Sequence, residues 1–271
     1  MKQNLRPSDI ARLLGISSQA VRYYEQKGLV QPRRDKDTDY RSYTLQDIER
    51  LFACRFWMNY GFSISEVADL FGAAPMSEIP RLLESKKQKF QRQIEDIELT
   101  IQKMDMIGRD HQTLPDVLGK YFIKTSPFLL FCCFAEGGLV KMELADSPFY
   151  QKLNLHPHLC DTAVIIPSET AHAEQFFEKR QLGFVLEKRY AEFLQIDYNQ
   201  PGDQVQLFSP TTCVNVTLKV KALVPEELEP VFSWIRKHGF TVSGPIICRI
   251  IGTLWSGGVF YYEIWVPIHT D

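Results

Sequence analysis

The stretch SSQAVRYYEQKGL, residues 17–29, predicts a short helix that ends at a glycine. Gly28 can adopt the left-handed backbone conformation that closes many helices. Val21 and Tyr24 are spaced to share an apolar face, so the polar and basic side chains between them point outward. A small helix with a packed back and a polar front suits insertion into the major groove of DNA. The side chains predicted to face DNA are Ser18, Gln19, Arg22, Tyr23 and Lys27.

The flanking segments predict a helix-turn-helix followed by a wing. Residues 5–14 have helical periodicity with Ser8 as a candidate N-cap, and a Gly15-containing turn separates them from the second helix. Residues 30–43 are polar and basic, which indicates a two-stranded wing that places Arg33, Arg41 and Tyr43 on phosphates. A solvated charged loop remains an alternative for this segment.

Two further helices are predicted between residues 44 and 72. Thr44 with Asp47, and Ser63 with Glu66, have the spacing of capping boxes. The second of these helices is expected to stop at Gly72. The predicted buried face of the first comprises Leu45, Ile48, Leu51, Phe52 and Phe56.

Residues 5–72 resemble the MerR family of transcription regulators. The resemblance rests on LGIS at 14–17, VRYYE at 21–25, GLV at 28–30, YRSY at 40–43 and YGFSISEV at 60–67. It implies a winged helix-turn-helix dimer, with DNA contacts at Arg22, Tyr23, Tyr24, Arg41 and Tyr43. It also implies a promoter whose elements are realigned for RNA polymerase, carrying its housekeeping sigma factor, when the bound DNA is distorted.

Charge and cysteine content support a DNA-binding head on an acidic body. Residues 1–60 hold 11 Lys and Arg against 7 Asp and Glu, a net charge of +4, whereas the remainder carries −6. Only the head is therefore expected to meet a polyanion. Six cysteines without a CxxC motif exclude a disulfide framework and are typical of a reducing cytoplasm. The sequence shows neither a signal peptide nor a membrane-length apolar run.

Residues 77–110 predict one long polar helix with a narrow apolar stripe. The stripe repeats at intervals of four and three residues, which is typical of a coiled-coil seam. We expect an antiparallel coil that makes a homodimer, although packing of this helix on its own C-terminal domain is an alternative. The predicted seam residues are Leu83, Phe90, Ile94, Ile97, Ile101 and Met104.

The remaining residues predict an α+β effector domain. Strand-like segments alternate with helix-like segments, and no Rossmann glycine pattern is present. The order strand 214–220, helix 225–238, strand 246–251 and strand 259–266 is a βαββ unit, and residues 120–200 are expected to repeat it with pseudo-twofold symmetry. The other predicted elements are strands 128–134 and 162–167 and helix 171–181. The predicted domains are 1–75 for DNA binding, 76–112 for the coil and 113–271 for the effector.

The final strand carries a carboxylate between aromatic residues. Tyr261, Glu263 and Trp265 share one strand face, and a buried carboxylate needs a cationic partner. This ending resembles the gyrase-inhibitor-like effector domain of BmrR-type multidrug regulators. The resemblance implies a lipophilic aromatic or cationic ligand held by Glu263, Tyr261, Trp265, Phe134, Tyr150 and Trp255. The open alternative is a salt bridge from Glu263 to a core arginine such as Arg249.

The histidines do not predict a metal site. Residues 103–122 lack the cysteines that metal-sensing members of the family carry, and the histidines are scattered. His156–Pro157–His158 is interpreted as a loop. We therefore expect no metal, no cofactor and no catalytic residue.

These patterns, together with the family resemblance, predict a cytoplasmic, homodimeric, ligand-responsive regulator without a membrane partner that activates transcription by distorting promoter DNA. Two alternatives belong to other classes. In one, the C-terminal domain is a small-molecule hydrolase with Glu263 as general base. In the other, the protein is a repressor that takes no small molecule.

Overall fold

The structure, a computed structural model, describes residues 5–34, 40–72, 75–170, 176–198, 205–251 and 258–270. The chain divides into two compact units, Met1–Ile94 and Glu95–Asp271. We call the first unit the head. Each unit has its own hydrophobic core.

The head contains the predicted helix-turn-helix and wing. The two short strands of the wing pair antiparallel, with Arg33 opposite Ser42 and Arg34 opposite Arg41. The four predicted helices and the two-stranded wing are therefore confirmed. The elements are α1 (Pro7–Leu14), α2 (Ser18–Gln26), β1 (Arg33–Arg34), β2 (Arg41–Ser42), α3 (Leu45–Asn59), α4 (Ile64–Gly72) and the beginning of α5 (Ile79–Val117).

Most helix ends in the head follow their sequence signals. Thr44 and Asp47 form the predicted capping box of α3, and Gly28 adopts a φ of 74° after α2. The predicted N-cap of α1 is wrong, because Arg6 rather than Ser8 is the N-cap residue. The backbone N–H of Arg6 donates to the carboxylate of Asp9 at 2.9 Å.

The buried face of α3 differs from the predicted one. Ile48 and Leu51 are buried as expected, but Cys54 replaces the phenylalanines in the head core. Phe52 and Phe56 are exposed by 49% and 55%, and Leu45 is exposed as well. The buried face of α3 is thus shifted around the helix relative to the predicted face. As a result, the rings of Phe52 and Phe56 lie on the surface.

Helix α5 is longer than predicted and belongs to both units. Its 39 residues extend about 58 Å at 1.5 Å per residue, and it continues through Pro115 to Val117. The predicted seam residues from Phe90 to Met104 are between 41% and 65% exposed. We call this surface the seam; it comprises Phe90, Ile94, Ile97, Ile101 and Met104.

The second unit is built on one antiparallel sheet. Its strands follow the order β3-β9-β12-β11-β6-β7-β4-β5, with β10 also paired to β12 and β8 to β4. The elements are β3 (Tyr121–Thr125), β4 (Leu129–Glu136), β5 (Leu139–Val140), α6 (Pro148–Leu155), β6 (Asp161–Ile166), α7 (Phe176–Lys179), β7 (Gln181–Glu187), α8 (Lys188–Phe193), β8 (Val205–Phe208), β9 (Thr212–Val220), α9 (Pro225–Lys237), β10 (Phe240–Val242), β11 (Ile246–Ile250) and β12 (Phe260–Thr270).

The two faces of β12 separate as its sequence predicts. Tyr262, Ile264 and Val266 lie in the core with residues of α9. Trp265 packs into a different cluster on the opposite face, beside Ile247 of β11. This alternation also places Glu263 on the face opposite α9. The predicted strands and the long helix α9 of the C-terminal region are confirmed, with boundaries shifted by a few residues.

Candidate functional site

Helix α2 presents a polar front and a buried back. Val21 is fully buried in the head core, whereas the intervening polar side chains are exposed. The Nζ of Lys27 lies 5.6 Å from the ring centroid of Tyr23, so these two side chains form one edge of the front. We call the exposed set the recognition surface. It comprises Ser18, Gln19, Arg22, Tyr23 and Lys27 of α2 and Arg33 of the wing.

Two of the residues predicted to touch DNA are core residues. Tyr24 is 6% exposed and Tyr43 is 0% exposed, so direct DNA contact by their side chains does not agree with the structure. The Tyr24 hydroxyl donates to the Met58 sulfur at 3.8 Å. Burial raises the pKa of both tyrosines above the usual value, which keeps both rings neutral. The burial of Tyr24 agrees with its spacing on the apolar face beside Val21, whereas its predicted DNA contact rested on the family resemblance alone.

Arg41 connects the wing to helix α2. Its Nε donates to both carboxylate oxygens of Glu25, at 2.8 and 3.2 Å. The pair is partly exposed, so it fixes the position of the wing more than it stabilises the fold. Arg41 therefore has a structural role in addition to its predicted contact with phosphate.

The predicted ligand carboxylate is paired with an arginine. Arg249 on β11 lies directly opposite Glu263 on β12, and its Nη2 and Nε donate to Glu263 Oε2 at 2.7 and 2.9 Å. The other oxygen of Glu263 faces the Asn215 side-chain amide at 3.5 Å. The side chains of Arg249 and Glu263 are 16% and 17% exposed. The alternative weighed for Glu263, a salt bridge to Arg249, is what the structure contains.

Helix α5 adds two charges to this pair. The Nζ of Lys103 donates to Asp161 at 2.7 Å, and Asp161 also accepts from Arg249 at 3.2 Å. Asp110, two helical turns after Lys103, lies 3.5 Å from Arg249. We call these five side chains, Lys103, Asp110, Asp161, Arg249 and Glu263, the ion network. It contains three carboxylates and two cations.

The ion network perturbs the charges within it. Burial raises the pKa of Asp110 above the usual range, and the nearby Glu263 and Asp161 add to that rise while Arg249 opposes it. Burial alone would lower the pKa of Arg249, but Glu263, Asp161 and Asp110 together raise it above its ordinary value. Arg249 is therefore a permanent cation, and the Asp110 carboxyl takes up a proton at a higher pH than an ordinary aspartate does.

Two cavities border the ion network. The smaller, of about 80 Å³, is lined by Glu263, Trp265 and Glu187 together with apolar residues of β4 and β7. The larger, of about 460 Å³, lies between α5 and the ends of β6 and β11. Arg249 and Asp161 line both cavities. The larger volume is within the range of small-molecule sites, whereas the smaller volume holds only a few waters.

The structure brings together only part of the predicted ligand set. Glu263 and Trp265 line the small cavity, but Phe134 and Tyr150 pack around Phe184 in another core cluster. Tyr261 lies near the Lys219 ammonium, 5.6 Å from its ring centroid. Trp255 lies outside the described residues. Because Phe134 and Tyr150 are partly buried against that separate cluster, they do not line the small cavity with Glu263 and Trp265, and the predicted grouping of all six side chains in one pocket is not what the structure contains.

Sequence reasoning missed Lys103, Asp110 and Asp161. Lys103 and Asp110 are seven residues apart on α5, so they share a helix face. Leu99 lies on the same face and packs against the core cluster that also contacts Phe134 and Tyr150. The sequence therefore contains a signal for these two residues: a second helix face, opposite the seam, that combines apolar and charged side chains. Asp161 at the start of β6 gave no comparable signal.

Comparison with known proteins identifies the head. The family model of the MerR HTH family regulatory proteins matches residues 5–73. The HTH-type transcriptional regulator CueR of Escherichia coli O157:H7 is 31% identical over 96 residues, which cover 34% of this chain and 71% of that protein. A probable heavy metal-dependent transcriptional regulator of Haemophilus influenzae is 31% identical over 102 residues, covering 36% of this chain and 80% of the relative.

The chain belongs to the MerR family. It is a DNA-binding transcription regulator with an N-terminal helix-turn-helix, a helical linker and a C-terminal sheet-rich domain. Its homologues are transcription regulators and not enzymes.

One solved structure extends over the whole chain. An EcmrR–DNA complex aligns with 98% of this chain and 100% of its own, at 15% identity and a TM-score of 0.38. A score this low does not establish a common arrangement. Among the residues that the structure describes, every helix is either too short or too polar to cross a bilayer.

Proposed function

We propose that this MerR-family protein is a homodimeric, ligand-responsive transcription activator. Its effector site is the ion network with the two cavities beside it, and its ligand is a lipophilic aromatic compound that carries a positive charge. Occupation of this site shifts the two heads, which distort promoter DNA so that RNA polymerase with its housekeeping sigma factor can use it. The domain roles are DNA binding for residues 1–75, dimerisation for 76–112 and ligand binding for 113–271.

The observation that carries this proposal is the position of Arg249 between Glu263 and the larger cavity. An arginine already fills the place of a cation beside Glu263 and Trp265. A ligand cation can exchange with it, because Arg249 keeps Asp161 as a partner at 3.2 Å. Movement of Arg249 would also join the small and large cavities, since this side chain lines both.

The charge of the small cavity favours a cationic ligand. Its lining contains three carboxylates, those of Asp161, Glu187 and Glu263, against the single guanidinium of Arg249. Trp265 supplies an aromatic face at the same place, which can stack on the ligand or contact its charge. An anionic compound would meet an excess of negative charge and is expected to be excluded.

The continuity of α5 supports a path from ligand to DNA. The helix begins in the head unit and contributes Lys103 and Asp110 to the ion network near its other end. Exchange of Arg249 for a ligand cation changes the partners of Asp110 and Asp161. The ligand can shift the heads only by as much as it binds the two states differently, and a change of salt-bridge partners on α5 supplies such a difference.

The strand order supports the proposed pseudo-twofold repeat. The neighbours β9-β12-β11 in one half correspond to β4-β7-β6 in the other, with α9 and α6 following the first strand of each half. The ion network then lies where the two halves meet, because β11 and β6 are adjacent. A site at the junction of two repeats is a common place for a ligand pocket.

A fluorescence titration with the full-length protein tests this function. Tetraphenylphosphonium and a neutral tetraphenyl compound of the same shape would be titrated against wild type, Glu263→Gln and Trp265→Phe. We expect saturable quenching by the cation, loss of affinity of at least tenfold in Glu263→Gln, and weaker binding of the neutral compound. In vitro transcription from the promoter that the protein binds should rise with the same concentration dependence.

The outcome also separates the alternatives. Absence of saturable binding by any of a panel of lipophilic cations would favour a regulator that takes no small molecule. The hydrolase alternative gains no support from the described residues, because both oxygens of Glu263 face donors, Arg249 and Asn215. Recovery of unchanged compound after prolonged incubation would remove it.

A further inference from the structure

A cluster of two histidines and an aspartate lies outside the ion network. The Nδ1 of His156 is 3.2 Å from Asp96 Oδ1, and the Nε2 of His158 is 4.0 Å from the same oxygen. The three candidate ligand atoms all lie within 4.8 Å of one another. Asp96 is on α5, whereas the histidines flank a short turn between α6 and β6. We call these three residues the His–Asp cluster.

The turn that carries the histidines is held rigidly. His156 caps the C-terminus of α6, and its carbonyl accepts the backbone N–H of Leu159 at 3.1 Å. Leu159 is buried, so it anchors the turn in the core. Pro157 between the two histidines fixes its own φ angle. The His156 ring also packs edge-on against Phe193, at a centroid distance of 5.9 Å. The His156 ring is therefore positioned by packing, whereas His158 is exposed and is placed by the backbone of the turn, with its ring 6.0 Å from that of His156.

One oxygen of the Asp96 carboxylate is buried, although the side chain as a whole is about a third exposed. Its Oδ1 atom is buried and accepts no hydrogen bond from any described residue. The His156 nitrogen is close, but the contact lacks hydrogen-bond geometry, so the ring nitrogen does not direct a proton at the oxygen. A buried carboxylate oxygen without a donor is costly, and a metal ion is one partner that removes this cost.

We propose that Asp96, His156 and His158 bind one divalent transition-metal ion of borderline softness, such as Zn²⁺. Two imidazole nitrogens and one carboxylate oxygen are a ligand set that zinc uses, with a water molecule in the fourth position. Cys160 is not part of this set of three ligand atoms, and its Sγ lies 3.9 Å from the backbone carbonyl oxygen of His156. The site revises the expectation from sequence that the histidines are scattered.

The distances require only small rotations of the side chains. Two ligands of a tetrahedral zinc ion are about 3.3 Å apart when each bond is about 2.0 Å long. The contact of His156 with Asp96 already has this separation at 3.2 Å. His158 must approach by less than 1 Å relative to Asp96. All three ligand atoms already lie within 4.8 Å of one another, so shifts of about 1.5 Å or less bring each pair to this separation.

A metal ion at this position would fasten α5 to the effector domain. It would connect Asp96, near the beginning of the helical segment in the second unit, to the turn before β6. Because β6 begins with Asp161 of the ion network, the ion would limit how far this part of α5 can separate from the sheet. The metal site shares no residue with the ion network, although His158 also lines the larger cavity of the proposed effector site.

Metal titration of the full-length protein tests this site independently of DNA binding and of the proposed effector ligand. Protein stripped by a chelator would be titrated with Zn²⁺ against a chromogenic competitor, and with Co²⁺ to obtain the visible ligand-field spectrum. The variants are Asp96→Asn, His156→Gln and His158→Gln. The matched control is His269→Gln, which changes an exposed histidine of β12 in the same unit. Circular dichroism would establish that each variant is folded.

We expect one ion per chain, a tetrahedral Co²⁺ spectrum without a thiolate charge-transfer band, and affinity reduced at least about tenfold in each of the three variants. The control variant should bind as wild type does. Zn²⁺ should therefore raise the melting temperature of wild type and of His269→Gln, but not that of the three site variants. A wild-type affinity equal to that of the variants would show an ordinary His–Asp ion pair and overturn the proposal. A thiolate band, or an equal loss in His269→Gln, would place the metal elsewhere and overturn it too.

Discussion

Arg249 and Glu263 face each other across adjacent antiparallel strands, with Arg249 Nη2 2.7 Å from Glu263 Oε2. The pair is not symmetrical in its surroundings. Arg249 also contacts Asp161 and Asp110, whereas Glu263 has Arg249 as its one charged partner among the described residues. The arginine is therefore the centre of the ion network, and the glutamate is the member that can change partners.

This asymmetry predicts unequal effects of removing the two charges. Glu263→Gln leaves Arg249 with two carboxylates and should lower the free energy of unfolding by about 1–2 kcal/mol. Arg249→Gln leaves Lys103 as the one cation of the ion network beside three carboxylates. It should lower the free energy of unfolding by about 3 kcal/mol or more. Urea unfolding in a Trp57→Phe background, where the remaining tryptophans report on the second unit, measures both. Equal costs would contradict a network centred on Arg249.

Asp110 predicts a dependence of stability on pH with a definite sign. Burial raises its pKa above the ordinary value of 3.8, so the folded state binds the proton more tightly than the unfolded chain does. The stability that this protonation contributes is fully present below pH 3.8 and is lost as the pH rises through the folded-state pKa. Asp110→Asn removes the cost of ionisation. We therefore expect it to match wild type at pH 3 and to be more stable than wild type at pH 7.

Calorimetric melting across this pH range measures the difference between Asp110→Asn and wild type. Asp105→Asn is the control, because it changes the same charge on an exposed position of the same helix. A variant that is less stable than wild type at pH 7 would show that the attraction to Arg249 outweighs the cost of burial.

The sequence predicted the architecture well where local signals agree with packing. The capping box of Thr44 and Asp47 determines where α3 begins. The alternation of side chains on β12 determines which of its faces enters the core with α9. The face of α3 was misjudged because Phe52 and Phe56 are more apolar than Cys54, which is the residue that enters the core. Periodicity identifies a helix better than it identifies which of two adjacent stripes is buried.

The sites were harder to predict because their residues are distant in sequence. The contact of Arg249 with Glu263 was foreseen as an alternative, since both lie on strands that were predicted correctly. Lys103 and Asp161 are separated by 58 positions, and no local pattern connects them. The His–Asp cluster shows the same limit, because a histidine pair around a proline becomes informative only when the fold places Asp96 beside it.

The recognition surface predicts a particular response to salt. Arg22→Ala should weaken binding to a duplex selected from random sequences. If Arg22 contacts a phosphate, the slope of log affinity against log salt should fall by about one. Lys89→Ala removes an exposed charge of α5 outside the recognition surface and serves as the control. Electrophoretic mobility shifts at several salt concentrations measure both variants, and equal losses would indicate a nonspecific effect of net charge.

The seam predicts how the protein pairs. Ile97 and Ile101 are more than half exposed, while Leu99 and Lys103 on the opposite side of the same helix pack inside the second unit, to which all four residues belong. Helix α5 thus contacts its own effector domain and still offers an apolar stripe, so the two interpretations weighed for it are compatible. Burying two isoleucines against a second copy stabilises a dimer by about 3 kcal/mol or more, which is roughly a hundredfold in the dissociation constant.

The double variant Ile97→Lys/Ile101→Lys should therefore sediment as a monomer at concentrations where wild type is a dimer. Gln102→Lys adds charge to an exposed position beside the seam and should remain dimeric. Because two recognition surfaces are needed to span a palindromic site, the monomeric variant should also lose specific DNA binding while keeping its folded content by circular dichroism. A double variant that stays dimeric would mean that another surface pairs the two copies.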